Sequence, residues 1–197
     1  MKDFNEYKIK QLDGDNKTSQ TLATLAGTTA SLATIITIGN FIVGNELVAL
    51  QNVGISAAMV GYVVGYTRRI KLNNTEKKRL TENRDKYNST KDRLVEMKEK
   101  IQHIKNNLGM STTASIGLGL TTLANMALLA EGNNIAVGAM LLSGTVTALD
   151  VLLTSKHIKD LKDTKKRLSL LEDLDEISKQ PIPELIESKE DEKRLLK

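Results

Sequence analysis

Cysteine and tryptophan are absent, and aromatic residues make up only 3% of the 197 residues, with two Phe and four Tyr. Without cysteine there are no disulfides and no thiolate metal ligands. So few large rings leave a compact soluble core short of its usual buried area. Charge is also missing where it would be expected. From Thr21 to Tyr66 the single charged residue is Glu46, and from Met110 to Thr154 the only two are Glu131 and Asp150. The mean hydropathy of −0.24 averages over this segregation and conceals it. The opening residues, MKDFNEYKIKQLDGDNKTSQ, lack the basic-then-apolar layout of a cleaved signal peptide.

Each uncharged region divides at a polar turn. The first gives Leu22 to Val43, then GNE, then Leu47 to Tyr66; the second gives Met110 to Ala130, then EGNN, then Ile135 to Thr154. These four segments each match the roughly 20 helical residues that cross a hydrocarbon layer of about 30 Å. Gly and Asn suit the reversals because they tolerate left-handed backbone angles. The sequence therefore predicts an all-α integral membrane protein of two tandem transmembrane helical hairpins, four spans in all.

Basic residues set the orientation. Neither turn carries Lys or Arg, whereas the flanks carry Lys8, Lys10, Lys17, Arg68, Arg69, Lys71, Lys105, Lys156 and Lys159. The positive-inside rule places those flanks and both termini in the cytoplasm. The expected layout is a cytoplasmic segment 1–20, a hairpin 21–66, a basic helical segment 67–109 with thirteen basic and six acidic residues, a hairpin 110–154, and a cytoplasmic helix and charged tail 155–197. The expected location is the inner, cytoplasmic membrane.

The plan is written twice. TRRIKLNNTEKKRL at Thr67 to Leu80 reappears as SKHIKDLKDTKKRL at Ser155 to Leu168, an offset of 88 residues. TTAS at Thr28 to Ser31 reappears at Thr112 to Ser115, an offset of 84. A duplicated two-span unit keeps its orientation, so the repeats are expected to be parallel. Arg68, Arg69, Lys71, Lys156 and Lys159 then act as interface anchors to anionic lipid headgroups, each contributing about 1 kcal/mol.

Within the spans, Gly61 and Gly65 form G-x-x-x-G, and Gly117 with Thr121, Ala139 with Ser143, and Gly144 with Ala148 repeat the small-residue spacing. Such pairs let helices approach closely, either within one bundle or between copies of the chain. Thr21, Thr24, Thr28, Thr29, Thr34 and Thr37 crowd the first span. Interhelical glue is favoured for them over the lining of a water path. Asp150 is the ionisable residue well inside a span and so a functional candidate.

Leu80, Tyr87, Leu94, Ile101 and Leu108 recur every seventh residue, as in a coiled-coil seam. A chain leaving the membrane at Tyr66 must return by Met110, so a turn is expected at Leu72 to Lys77 or at Tyr87 to Thr90, with Gly109 breaking the helix before the third span. The helix Ile158 to Ile177 is expected to pack on this segment through Ile158, Leu161, Leu168, Leu171, Leu174 and Ile177, and KQPIPE to end it.

No catalytic layout is present. His103 and His157 stand alone, and there is no nucleotide-binding or nucleophile motif. No catalytic residue, cofactor or metal is expected. The basic stretches lack the aromatics and recognition elements of a nucleic-acid site. The expected partners are the lipid bilayer, further copies of the chain and a cytoplasmic protein. The expected function is a non-enzymatic membrane scaffold or assembly component. The alternatives are an oligomeric pore of holin or defence type, and a soluble α-helical toxin with masked apolar hairpins.

Overall fold

A computed structural model describes residues 2–82 and 90–179. They form four helices: α1 (Lys2–Ile42), α2 (Glu46–Glu82), α3 (Thr90–Ala130) and α4 (Ala136–Lys179). All four are long and apolar enough to cross a membrane. At 37 to 44 residues, each is also about twice the length that a crossing needs. Every helix therefore has an apolar half and a charged half in one unbroken rod.

The two hairpin turns close identically. Gly44 and Gly132, 88 residues apart, both adopt positive φ (76° and 88°). The Gly44 amide bonds the Phe41 carbonyl and the Asn45 amide the Asn40 carbonyl; Gly132 bonds Leu129 and Asn133 bonds Leu128 in the same way. This is the Schellman closure, which satisfies carbonyls that a helix end leaves orphaned and needs a residue at ease in the left-handed region. The TTAS match, offset by 84, falls four residues out of this register, so it pairs positions about one helical turn apart.

α1 packs on α2, α2 on α3 and α3 on α4, while the backbones of α1 and α4 stay apart among the described residues. The α2–α3 seam is the closest approach. Ala58, Ala114 and Leu118 form its buried core, with Tyr62 packed against them. A Cβ on Gly61 would stand 2.6 Å from Thr113 Cγ2, and one on Gly65 would stand 2.6 Å from Met110 Sδ. Gly54 meets Gly117 and Thr121 so closely that no side chain fits. Small residues on one face thus let the two backbones touch, which is how helices associate where lipid offers no hydrophobic force.

Three expectations about the middle segment are corrected. Gly109 does not break a helix: α3 runs through it from Thr90 to Ala130. A helical glycine costs only about 1 kcal/mol, and the flanks hold the rod straight, with Ile101, Ile104 and Asn106 all buried. Leu72 to Lys77 is helical within α2, so the reversal falls between Glu82 and Thr90. Of the other candidate turn, Thr90 opens α3 and the remainder lies outside the described residues.

The seven-residue repeat is divided between two helices. Leu80 belongs to α2 and is fully buried; Leu94, Ile101 and Leu108 belong to α3; Tyr87 lies outside the described residues. On α4 the buried face is narrower than expected. Ile158, Leu174 and Ile177 are exposed, while Leu161, Leu168 and Leu171 are half-buried around the buried Thr164. Among the described residues α4 packs its backbone along α3 alone, so little more than a single stripe of it is covered.

Candidate functional site

The feature that stands out is the junction between the apolar and charged halves. There α1, α2 and α3 exchange polar contacts that no single helix could satisfy. Asn73 donates to Asn16 Oδ1 at 2.9 Å, and Asn16 donates to Asn74 Oδ1 at 2.8 Å. Lys77 binds Asp13 at 2.7 Å. Arg79 grips Glu99 with Nε at 2.9 Å and Nη2 at 2.7 Å, the two-pronged geometry a guanidinium suits. Asn106 donates to the Gly65 carbonyl at 2.8 Å, tying α3 to the glycine seam at the boundary.

At the centre is Glu76, 8% exposed. Lys8 Nζ lies 2.8 Å from its Oε1, and His103 Nε2 lies 3.7 Å from its Oε2. Lys8 also reaches Glu96 at 3.4 Å, bridging α1 to α3. His103 and then Lys8 favour the charged carboxylate and outweigh the opposing effect of burial, so the Glu76 carboxyl is held down to about 2. A polar cavity of about 440 Å³ opens beside this pair, and Ser19, Arg69, Asn73 and Asn107 help to line it.

A second line of contacts runs from the junction into the apolar zone along α2. Arg69 donates to Asn107 Oδ1 at 2.7 Å and lies 5.9 Å from the centre of the Tyr66 ring, a cation–π distance. Tyr66 stacks on Tyr62 with centroids 6.2 Å apart. The Tyr62 hydroxyl donates to Asp150 Oδ2 at 3.1 Å. Asp150 is 6% exposed, so the acid in the apolar half of α4 is turned inward onto α2. Tyr62 and Asp150 are themselves 88 residues apart, as are Lys8 and Glu96.

The other residues singled out in the sequence fall elsewhere. Arg68, Lys71, Lys156 and Lys159 are exposed near the junction and make no ion pair among the described residues. Gly61, Gly65 and Gly117 lie on the α2–α3 seam. Ser143 receives a bond from Thr122 at 3.0 Å across α3–α4, and Ala139 is half-buried one turn away. The threonines at 21, 24, 28, 29, 34 and 37 bond back to carbonyls of α1 itself.

Sequence reading missed Gly54 and the Glu76 cluster. Gly54 was detectable in principle: Gly54, Ala58, Gly61 and Gly65 continue one small-residue stripe. The cluster carried no signal, because Lys8, Glu76 and His103 come from three helices.

Chemically the cluster around Glu76 is a set of matched charges. The His103–Glu76 pair resembles a base with its orienting acid, but among the described residues no hydrogen bond joins a nucleophile to His103. No three His, Cys, Asp or Glu side chains among the described residues converge as a metal ion would need. No protein-family model matches the chain, and no curated protein or solved structure matches it.

Proposed function

We propose that the chain is a non-enzymatic membrane scaffold. Two parallel transmembrane hairpins would anchor it, and the charged halves of the helices would form a cytoplasmic headpiece that presents basic surface to lipid and to protein partners. The observation that carries this reading is the sharp zoning of all four rods. In the apolar halves, large side chains point outward all round, among them Leu32, Ile35, Phe41, Leu142 and Leu152. Only 17% of the apolar window of α4 is buried. A soluble monomer rarely exposes a contiguous apolar patch beyond a few hundred Å², and a toxin that masks its hairpins would bury these faces. In the charged halves, ion pairs join one helix to the next.

Two further observations support the scaffold over a conducting path. The α1 threonine hydroxyls are satisfied by their own helix, so they need no water. Asp150 is engaged by Tyr62 rather than directed into an open channel. The shared turn geometry and the register of 88 residues support the parallel repeat, which puts equivalent residues at the same membrane depth. Self-association is part of the proposal and is tested by cross-linking in the membrane.

Carbonate extraction tests the membrane reading. Expressed chain should remain in the membrane pellet, and recovery in the supernatant would overturn the proposal. Dye-loaded vesicles test the scaffold. Reconstituted chain should leave the dye inside, and leakage in proportion to the protein added would favour the pore.

A further inference from the structure

Several cations of the headpiece have an acid to answer them: Lys8, Lys77, Arg79 and Lys98 each contact a carboxylate. Arg68, Lys71 and Lys105 make no ion pair among the described residues, yet they converge. With Leu72, Gln102 and Asn106 they line a recess of about 460 Å³ between α2 and α3, and no acidic side chain borders it. The size falls within the range of about 300–1,000 Å³ typical of small-ligand sites. Three uncompensated positive charges around one recess are electrostatically incomplete, and an anion completes them.

The recess does not end at the charges. Arg68 and Asn106 also border a second hollow, of about 290 Å³, that continues along the seam into the apolar zone between Val60, Val64, Gly109 and Met110. Gly61 and Gly65 border this groove, and their missing side chains bring the two helices that form its walls together. Gly109 plays a different part. A Cβ there would meet nothing within 4 Å, so the seam does not need it to be glycine. It keeps the groove open where a larger side chain would fill it.

We propose that the recess and groove hold one anionic phospholipid, with its phosphate among Arg68, Lys71 and Lys105 and one acyl chain along Val60, Val64, Gly109 and Met110. A basic head leading directly into an apolar groove at the membrane boundary matches a phospholipid end to end. A free phosphate would leave the groove empty, and a zwitterionic lipid would leave the cations uncompensated. The site belongs to the first repeat alone. The equivalents of Arg68 and Lys71 are Lys156 and Lys159, but among the described residues α4 has no following helix to close a groove. The inference rests on the membrane reading above.

The test uses the full chain in detergent with added phosphatidylglycerol or phosphatidylcholine, and native mass spectrometry to count retained lipids. The chain should keep one phosphatidylglycerol in preference to phosphatidylcholine. Arg68→Gln with Lys105→Gln should weaken retention about fivefold per cation removed. Gly109→Leu should abolish retention with thermal stability unchanged or raised, since leucine is the better helix former. Lys156→Gln with Lys159→Gln should change nothing. Equal retention of the two lipids, an equal loss in the Lys156/Lys159 variant, or full displacement of the lipid by soluble glycerol phosphate would each overturn the proposal. A chain that pellets with membranes but shows no lipid preference defeats this inference alone, whereas a chain left in the supernatant defeats the membrane reading as well.

Discussion

The tetrapeptide Lys-Lys-Arg-Leu occurs at residues 77–80 and again at 165–168, and its two copies have different surroundings. In the first, Lys77 binds Asp13, Arg79 grips Glu99, and Leu80 is fully buried. In the second, Lys165, Lys166 and Arg167 are exposed and Leu168 is half-buried. Immediately before the tetrapeptide the contrast persists: Glu76 and its equivalent Thr164 are both buried, but Glu76 carries charge and is held by Lys8 and His103. The difference comes from neighbours. α2 packs along both α1 and α3, while α4 packs along α3 and touches α2 where Tyr62 reaches Asp150. The same tetrapeptide thus has two fates, and the number of helices packed along it decides which copy becomes structural.

The largest expected effect is on the seam that makes α2 central. Gly117→Val should prevent the backbone contact with Gly54 and Ala58 and lower the yield of folded protein, with a penalty at or beyond the upper end of the usual 1–3 kcal/mol, roughly, for overpacking. Gly119→Val, two residues on, meets nothing and should fold normally. Circular dichroism of the two purified variants in detergent separates these outcomes, and equal folding of both would remove the seam from the account.

Next in size is the buried leucine of the repeated tetrapeptide. Leu80→Ala should cost about 2–5 kcal/mol, the range for emptying a packed site. Leu168→Ala should cost clearly less, because Leu168 is already part-exposed. Thermal unfolding of the pair in one detergent makes the comparison direct, and similar midpoints would mean that α4 is enclosed after all.

An intermediate effect is expected from pH. The Glu76 carboxyl titrates near 2 in the folded chain against an ordinary 4.5. Its lowered folded value means that its stabilisation is complete above about 4.5 and is lost as pH falls through about 2. Glu76→Gln should therefore flatten the acid limb of a plot of melting temperature against pH. An unchanged acid limb would show that the Lys8 and His103 contacts do not stabilise the headpiece. The smallest effect is expected from Tyr62→Phe, which removes the bond to Asp150. Hydrogen bonds between membrane helices average about 0.6 kcal/mol, so a shift of a degree or two in the melting midpoint is the expected scale.

What was legible in the sequence follows the same division. The four apolar segments, the Gly-Asn turns and the basic flanks are local patterns, each set by a few adjacent residues, and the helices and their turns lie where those patterns are. The unbroken course through Gly109 was not legible, because contacts with α2 outweigh a local glycine penalty. Nor was the split of the seven-residue repeat between α2 and α3, since a period in sequence does not say where the chain reverses. The cluster around Glu76 is wholly tertiary, and only the folded chain brings its three contributors together.

The most direct test of the membrane scaffold is the sidedness of single cysteines, introduced into a chain that has none of its own. Asn134→Cys lies in the second hairpin turn and Ser169→Cys on the exposed charged half of α4. With a membrane-impermeant maleimide added to intact cells lacking an outer membrane barrier, Asn134→Cys should label and Ser169→Cys should label only after lysis. Labelling of both positions only after lysis, or of both before it, would contradict a headpiece and turns held on opposite faces of a membrane.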